Sequence, residues 1–365
     1  MKRTRSWMGL FFVVPILLIL SLLLSCNATE TPKVPDSGDY SVTLIDTALD
    51  GATVLAEREG AGGQALIFIG HNSYGFGDGG LKYYDTQEKS LKDTGVDVDT
   101  ADFVFYGTDT IYIMGPYNSY KVSTSGDPSS WSPVELQDGG LNSFGGSDMH
   151  LHNDKIYIVN PGGWAAPYDN KIYIIDTTDD AVTTVDLGDG VNSEGFGFIN
   201  VHNSALYYTD TDNGDIYCST NLNDLSGSIS NVTTTNESAS GKIYFHNGMA
   251  YICVGAGFAT VNMGVFMFDS ANPGSTATYF PNSGQISAQY MVFKDAQTAY
   301  VTHYSGGVYQ FNPADEDSDF VIIPETDPAS YTGMQDIHFD GADDVIYVAV
   351  NNYPNYSSLM IIEFD

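Results

Sequence analysis

Two Asp-x-His pairs, Asp148/His150 in "SDMHLHN" and Asp336/His338 in "QDIHFDG", have types and spacing that could do chemistry. In an extended strand side chains alternate, so residues two apart point the same way. A carboxylate beside an imidazole can move a proton or contribute ligands to a metal. Asn200 and Lys242 hold matching polar positions in "GFINVHN" and "GKIYFHN", and the six residues read together as the lining of a channel. Water is the default partner of such a lining, and the two Asp-x-His pairs fall in the third and seventh of the repeat units described below, on well-separated parts of the expected ring, so one shared ion is not expected. Glu194, in "NSEGFG", is the carboxylate best placed to act as an acid or base, with Asp148 as its partner. Glycoside cleavage needs two carboxylates at a set separation, which chain spacing leaves open. Gly-x-Ser-x-Gly and His-Glu-x-x-His are absent. Arg58 is the one arginine beyond residue 5, so no arginine cluster for phosphate or sialic acid can be assembled. No cofactor is firmly implied. The acidic run "TDTDNGD", Thr209 to Asp215, would suit a surface Ca²⁺, although it lacks the spacing of an EF-hand.

The elements that position these residues come from a repeat. "KIYIVN" at Lys155 returns as "LIFIGH" at Leu66, "TIYIMG" at Thr110, "ALYYTD" at Ala205, "MAYICV" at Met249, "TAYVTH" at Thr298 and "VIYVAV" at Val345. The copies are 44 to 50 residues apart, and the third position is always aromatic: Phe68, Tyr112, Tyr157, Tyr207, Tyr251, Tyr300 and Tyr347. Short apolar, β-branched runs bounded by Asn, Asp and Gly are strand signals. A second run follows each copy, such as "KIYIID" at Lys171, and another precedes it, such as "DMHLHN". Four short strands in a unit of this length are the signature of a β-propeller blade. The expected fold is all-β, a seven-bladed β-propeller of four-stranded antiparallel blades. The seventh unit stops after its third strand. "SVTLID", Ser41 to Asp46, is free to complete it, while "ATVLAER" from Ala52 opens the first blade. His152, His202 and His246 recur at one turn, "LHND", "VHNS" and "FHNG", and read as turn residues.

"AYVTHYSGGVYQFNP", from Ala299, and "IYIIDTTDDAVTTVDLGDG", from Ile172, resemble the YVTN-type repeat of bacterial and archaeal surface propellers. The likeness covers the third and sixth units and is loose elsewhere. It implies the ring but no shared chemistry, so it supplies no catalytic residues. "STSGDPSSW", Ser123 to Trp131, is similar to the Asp-box turn of sialidase-type propellers with its Trp one place early, and reads as a packed turn.

The connections between second and third strands are long and rich in aromatics, Gly and Asn, as in "GHNSYGFGDGG", "NPGGWAAPYDN" and "NNYPNYSS". Long loops on a rigid ring are where binding concentrates. Flat rings with a polar tip suit sugars or peptide side chains. The candidate contacts are Tyr74, Tyr117, Trp164, Tyr168, Phe258, Tyr304, Tyr331 and Tyr353. With 25 tyrosines in the chain, some of these serve packing instead.

Residues 1–25 read as a signal peptide. Lys2, Arg3 and Arg5 precede a mostly apolar run, Leu10 to Leu24, too short for a spanning helix. The run ends in "LLSC", which resembles the lipobox of bacterial lipoproteins. That likeness implies cleavage before Cys26 and its acylation. Asn27, in place of Asp, favours the outer membrane or cell surface. Residues 26–39, polar and Pro-containing, read as a flexible tether, leaving 40–365 for the propeller. Cys218 and Cys253 lie in predicted strands and read as buried thiols, although an oxidising envelope would permit a disulfide. A net charge of −33 repels nucleic acid and anionic lipid, so membrane contact is expected through the anchor alone. The expected function is a lipid-anchored envelope protein binding a peptide, protein or glycan. The alternative is a glycan-active hydrolase or lyase using acidic and His residues at the channel.

Overall fold

The computed structural model describes residues 40–60, 62–73, 78–115, 118–136, 148–160, 171–187, 197–210, 213–238, 240–255, 262–274, 276–284, 286–326, 333–351 and 357–364. They form seven four-stranded antiparallel sheets. Counted from the innermost strand, blade one begins at Ala52–Glu59, blade two at Asp102–Tyr106, blade three at Asp148–His152 and blade four at Phe198–His202. Blades five, six and seven begin at Ser240–His246, Ala288–Phe293 and Met334–Asp340. The two near-identical runs are neighbours in blade three, with Tyr157 opposite Ile174 and Ile158 opposite Tyr173.

Blade seven takes its outermost strand from the other end of the chain. Tyr40–Asp46 pairs with Ser358–Phe364 from Tyr40↔Phe364 to Asp46↔Ser358, as the unpaired seventh unit predicts. Each ladder bond made by this strand ties residues more than 300 apart and shields an edge that would otherwise be open. The Thr47 amide and hydroxyl both donate to the Ser357 carbonyl at 2.9 Å and hold the strand's end. At the start of blade one Gly51 has φ +65°, and a Cβ there would stand 2.0 Å from the Asn72 carbonyl oxygen. Only glycine fits that turn.

The core is divided among the seven seams. Each apolar cluster draws its residues from two adjacent blades. The aromatic at the third repeat position is buried in every blade and always faces the following one, Tyr157 toward blade four and Tyr347 toward blade one. Its polar tip is used as well. Tyr112 Oη donates to Asp180 Oδ1 at 2.6 Å, and Tyr251 Oη to the Pro313 carbonyl at 2.9 Å. The repeat therefore marks the residue that joins blades, which is why it survives where other positions drift.

Two of the three turn histidines serve the same seams. His202 and His246 lie flat on Phe245 and Phe293 of the next blade, with ring centroids 4.1 and 4.4 Å apart. The turns themselves rest on Asn153, Asn203 and Asn247, whose φ values of +54°, +49° and +49° suit asparagine. The Asp-box-like segment is a packed turn. Asp127 accepts from the Ser129 amide and hydroxyl, and Trp131 stacks on Phe68 at 5.8 Å. Cys218 and Cys253 are buried free thiols. No helix among the described residues is long and apolar enough to cross a membrane.

Candidate functional site

In every blade the innermost strand starts on the face where the second strand ends and the third begins. The register makes one position equivalent all round the ring, the residue opposite the fifth position of each repeat copy. In blades two, three and four it is Asp102, Asp148 and Phe198, facing Met114, Val159 and Thr209. In the other four blades the innermost strand carries one extra residue just before or at this point. Gly241 and Lys242 oppose Cys253 alone, Gln289 and Tyr290 oppose Thr302, and Gln335 and Asp336 oppose Ala349. Thr53 is the insertion in blade one, ahead of Val54. Such a bulge re-aims a side chain.

The outcome is a girdle with one residue from each blade: Val54, Asp102, Asp148, Phe198, Lys242, Tyr290 and Asp336. All seven line a single cavity of about 100 Å³ on the axis. It forms the floor of the loop-bearing face.

The three carboxylates also hold the ring together. Asp102 Oδ2 accepts from the Met149 amide, Asp148 Oδ2 from Ile199 and Asp336 Oδ2 from Leu55, each at 2.9 Å. Each of these amides belongs to the residue after the girdle position of the next blade, so three seams are stapled identically. Lys242 Nζ reaches past blade four to Asp148 Oδ1 at 2.9 Å. Burial pushes Asp102 up to about 8; Lys242 opposes that and Asp148 adds to it. Burial likewise raises Asp336 against the pull of Lys242. Burial disfavours the Lys242 charge, but Asp148, Asp102 and Asp336 outweigh it and hold the ammonium above the ordinary lysine value. The Tyr290 phenol is raised by the same desolvation.

Of the six expected lining residues, the structure brings Asp148, Lys242 and Asp336 to this cavity. His150, Asn200 and His338 follow two residues further along their strands. Asn200 Nδ2 donates to the Ile243 carbonyl of the next blade at 2.9 Å. His338 Nε2 meets Glu57 Oε2 of blade one at 2.6 Å. Burial lowers His150 to about 4, so its imidazole is neutral at physiological pH. Tyr304 is exposed on the loop-bearing face, where its carbonyl accepts from the Gly333 amide. Tyr74, Tyr117, Trp164, Tyr168, Phe258, Tyr331, Tyr353, Glu194 and Cys26 lie outside the described residues.

Sequence reasoning missed Asp102, Tyr290, Val54 and Phe198. The turn after Asp102–Tyr106 holds three residues, against two after Asp148–His152, so alignment on that turn shifts blade two by one. The others read as ordinary apolar strand positions. Arg58 lies at the far end of its strand from the girdle, donating to Thr124 Oγ1 and the Thr108 carbonyl over the Phe105 ring. A larger groove of about 610 Å³ opens on that opposite face, between blades seven and one. Among the described residues no group of three His, Cys, Asp or Glu could hold a metal ion.

The seven-sheet ring has solved counterparts. This is a seven-bladed β-propeller. No protein-family model and no curated protein matches the chain. A catalytically inactive virginiamycin B lyase from Staphylococcus aureus with quinupristin is similar in structure, with TM-score 0.63 and 11% identity over 89% of this chain and 100% of that one. YCF48 bound to D1 peptide is similar at TM-score 0.58 and 12% identity, covering 91% and 99%. The extracellular domain of the one-component system BT4673 from B. thetaiotaomicron gives 0.63 and 11%, with 89% of this chain spanning 40% of that one. At these identities the likeness shows the fold alone.

Proposed function

We propose that this chain is a lipid-anchored envelope protein that binds a peptide or protein segment across the loop-bearing face of its propeller, without chemistry of its own. The observation that carries this reading is the girdle. Seven blades each deliver one side chain to a shared polar floor, on the face from which the aromatic-rich connections depart. A floor that mixes carboxylates, an ammonium, a phenol and apolar groups suits recognition of an irregular chain. The YCF48 structure, a propeller bound to a peptide, supports that ligand class over a glycan.

The anchor reading rests on Lys2 to Cys26 and the lipobox-like "LLSC". The closing strand begins at Tyr40 opposite Phe364, on the face away from the girdle. A tether leading to Tyr40 from an acylated Cys26 would turn the binding face away from the bilayer.

One experiment on intact cells tests both parts. A photo-crosslinking phenylalanine analogue replaces Tyr304 in one full-length version and Lys155, on the opposite face, in another. Crosslinked peptide is expected from position 304 and not from 155, in the membrane fraction. Palmitate fed to the cells is expected to label the adduct, and Cys26→Ser to abolish the label. Crosslinking from 155 alone, or an adduct that takes up no palmitate, would remove the corresponding half. Glycan cleavage by the chain, abolished by Glu194→Gln, would favour the hydrolase or lyase reading.

A further inference from the structure

We infer that the girdle holds the primary ammonium of a lysine side chain from the bound peptide, in the half formed by blades six, seven, one and two. This rests on the peptide-binding reading above. Lys242 shows that the cavity already accommodates an alkylammonium, and its partner is Asp148. The opposite half has two carboxyl groups, Asp336 and Asp102, on either side of Val54; both feel the Lys242 charge, but among the described residues no cation is hydrogen-bonded to either. Among those residues each accepts from backbone amides alone, leaving lone pairs to spare.

A second observation points to a ligand here. The Tyr290 ring borders the same cavity from blade six, buried enough to raise its phenol, and its hydroxyl bonds to no group among the described residues. An aromatic wall, two carboxylates and an apolar residue between them are what an ammonium on a methylene stem requires. A bare metal ion fits less well, because among the described residues no group of three His, Cys, Asp or Glu could hold one.

The test is selection from a random hexapeptide library by the full chain in detergent, with the library free or acetylated on its lysines. The expected result is at least tenfold enrichment of lysine at one position, lost on acetylation. Because the chain carries a charge of −33, long-range attraction must be separated from the pocket. At pH 9, where Asp102 is ionised, Asp102→Asn with Asp336→Asn should cut the enrichment at least tenfold. Glu59→Gln with Asp343→Asn, a double carboxylate-to-amide change on the opposite face, should leave it. Tyr290→Leu removes no seam bond and should also reduce it, which keeps the test intact if the aspartate pair is needed for folding. Peptides that bind equally well acetylated, or an equal loss in both double variants, would overturn the inference and leave the peptide-binding reading standing. Failure to enrich any peptide would overturn both.

Discussion

Asp102 closes the seam between blades two and three and at the same time faces Asp148 and Lys242 in the cavity. Its folded pKa of about 8 lies well above the value of roughly 4 for a free carboxyl. Between those values the folded chain holds a proton that the unfolded chain has released, so this group's contribution to stability falls as pH rises from about 4 to about 8. Asp102→Asn, which cannot titrate, should flatten that part of the pH dependence of the melting temperature relative to wild type. An unchanged difference between pH 5 and pH 9 would contradict the assignment. The same residue shows how far the sequence could be read. Alignment on the turn that ends each innermost strand exposes Asp148, Lys242 and Asp336, because each heads an alternation with apolar residues: Met149 and Leu151, Ile243 and Phe245, Ile337 and Phe339. Asp102 hides behind a longer turn, and Tyr290 hides because a tyrosine in a strand looks like core.

The blades were legible for a different reason. Their repeat carries a third-position aromatic that fills each seam, and a packing demand repeated seven times leaves a repeated mark in the sequence. Tyr157, fully enclosed between blades three and four, should on replacement by Ala cost about 3–5 kcal/mol in chemical unfolding, by analogy with other large-to-small aromatic changes. Tyr304→Ala, at an exposed site, should cost almost nothing. Equal effects would mean that the seams do not carry the core. The closing strand was likewise foreseeable, since an unpaired seventh unit needs an edge partner and Ser41–Asp46 was the strand left over. The bulges were not. One extra residue in an innermost strand leaves its apolar pattern almost unchanged, yet it decides whether Lys242, Tyr290 and Asp336 face the axis.

For the molecule as a whole, charge and closure point the same way. A net charge of −33 disfavours contact with polyanions, and the closing strand begins at Tyr40 on the face away from the girdle. Hydrogen exchange on the full chain, alone and saturated with a peptide selected from the library, measures where that partner sits. The account predicts slowed exchange in segments 71–73, 303–307 and 333–336 around the girdle, with the turns at 153–154, 203–204 and 247–248 on the opposite face unchanged. Slowing confined to those turns, or spread over the outer strands with the girdle segments untouched, would contradict it.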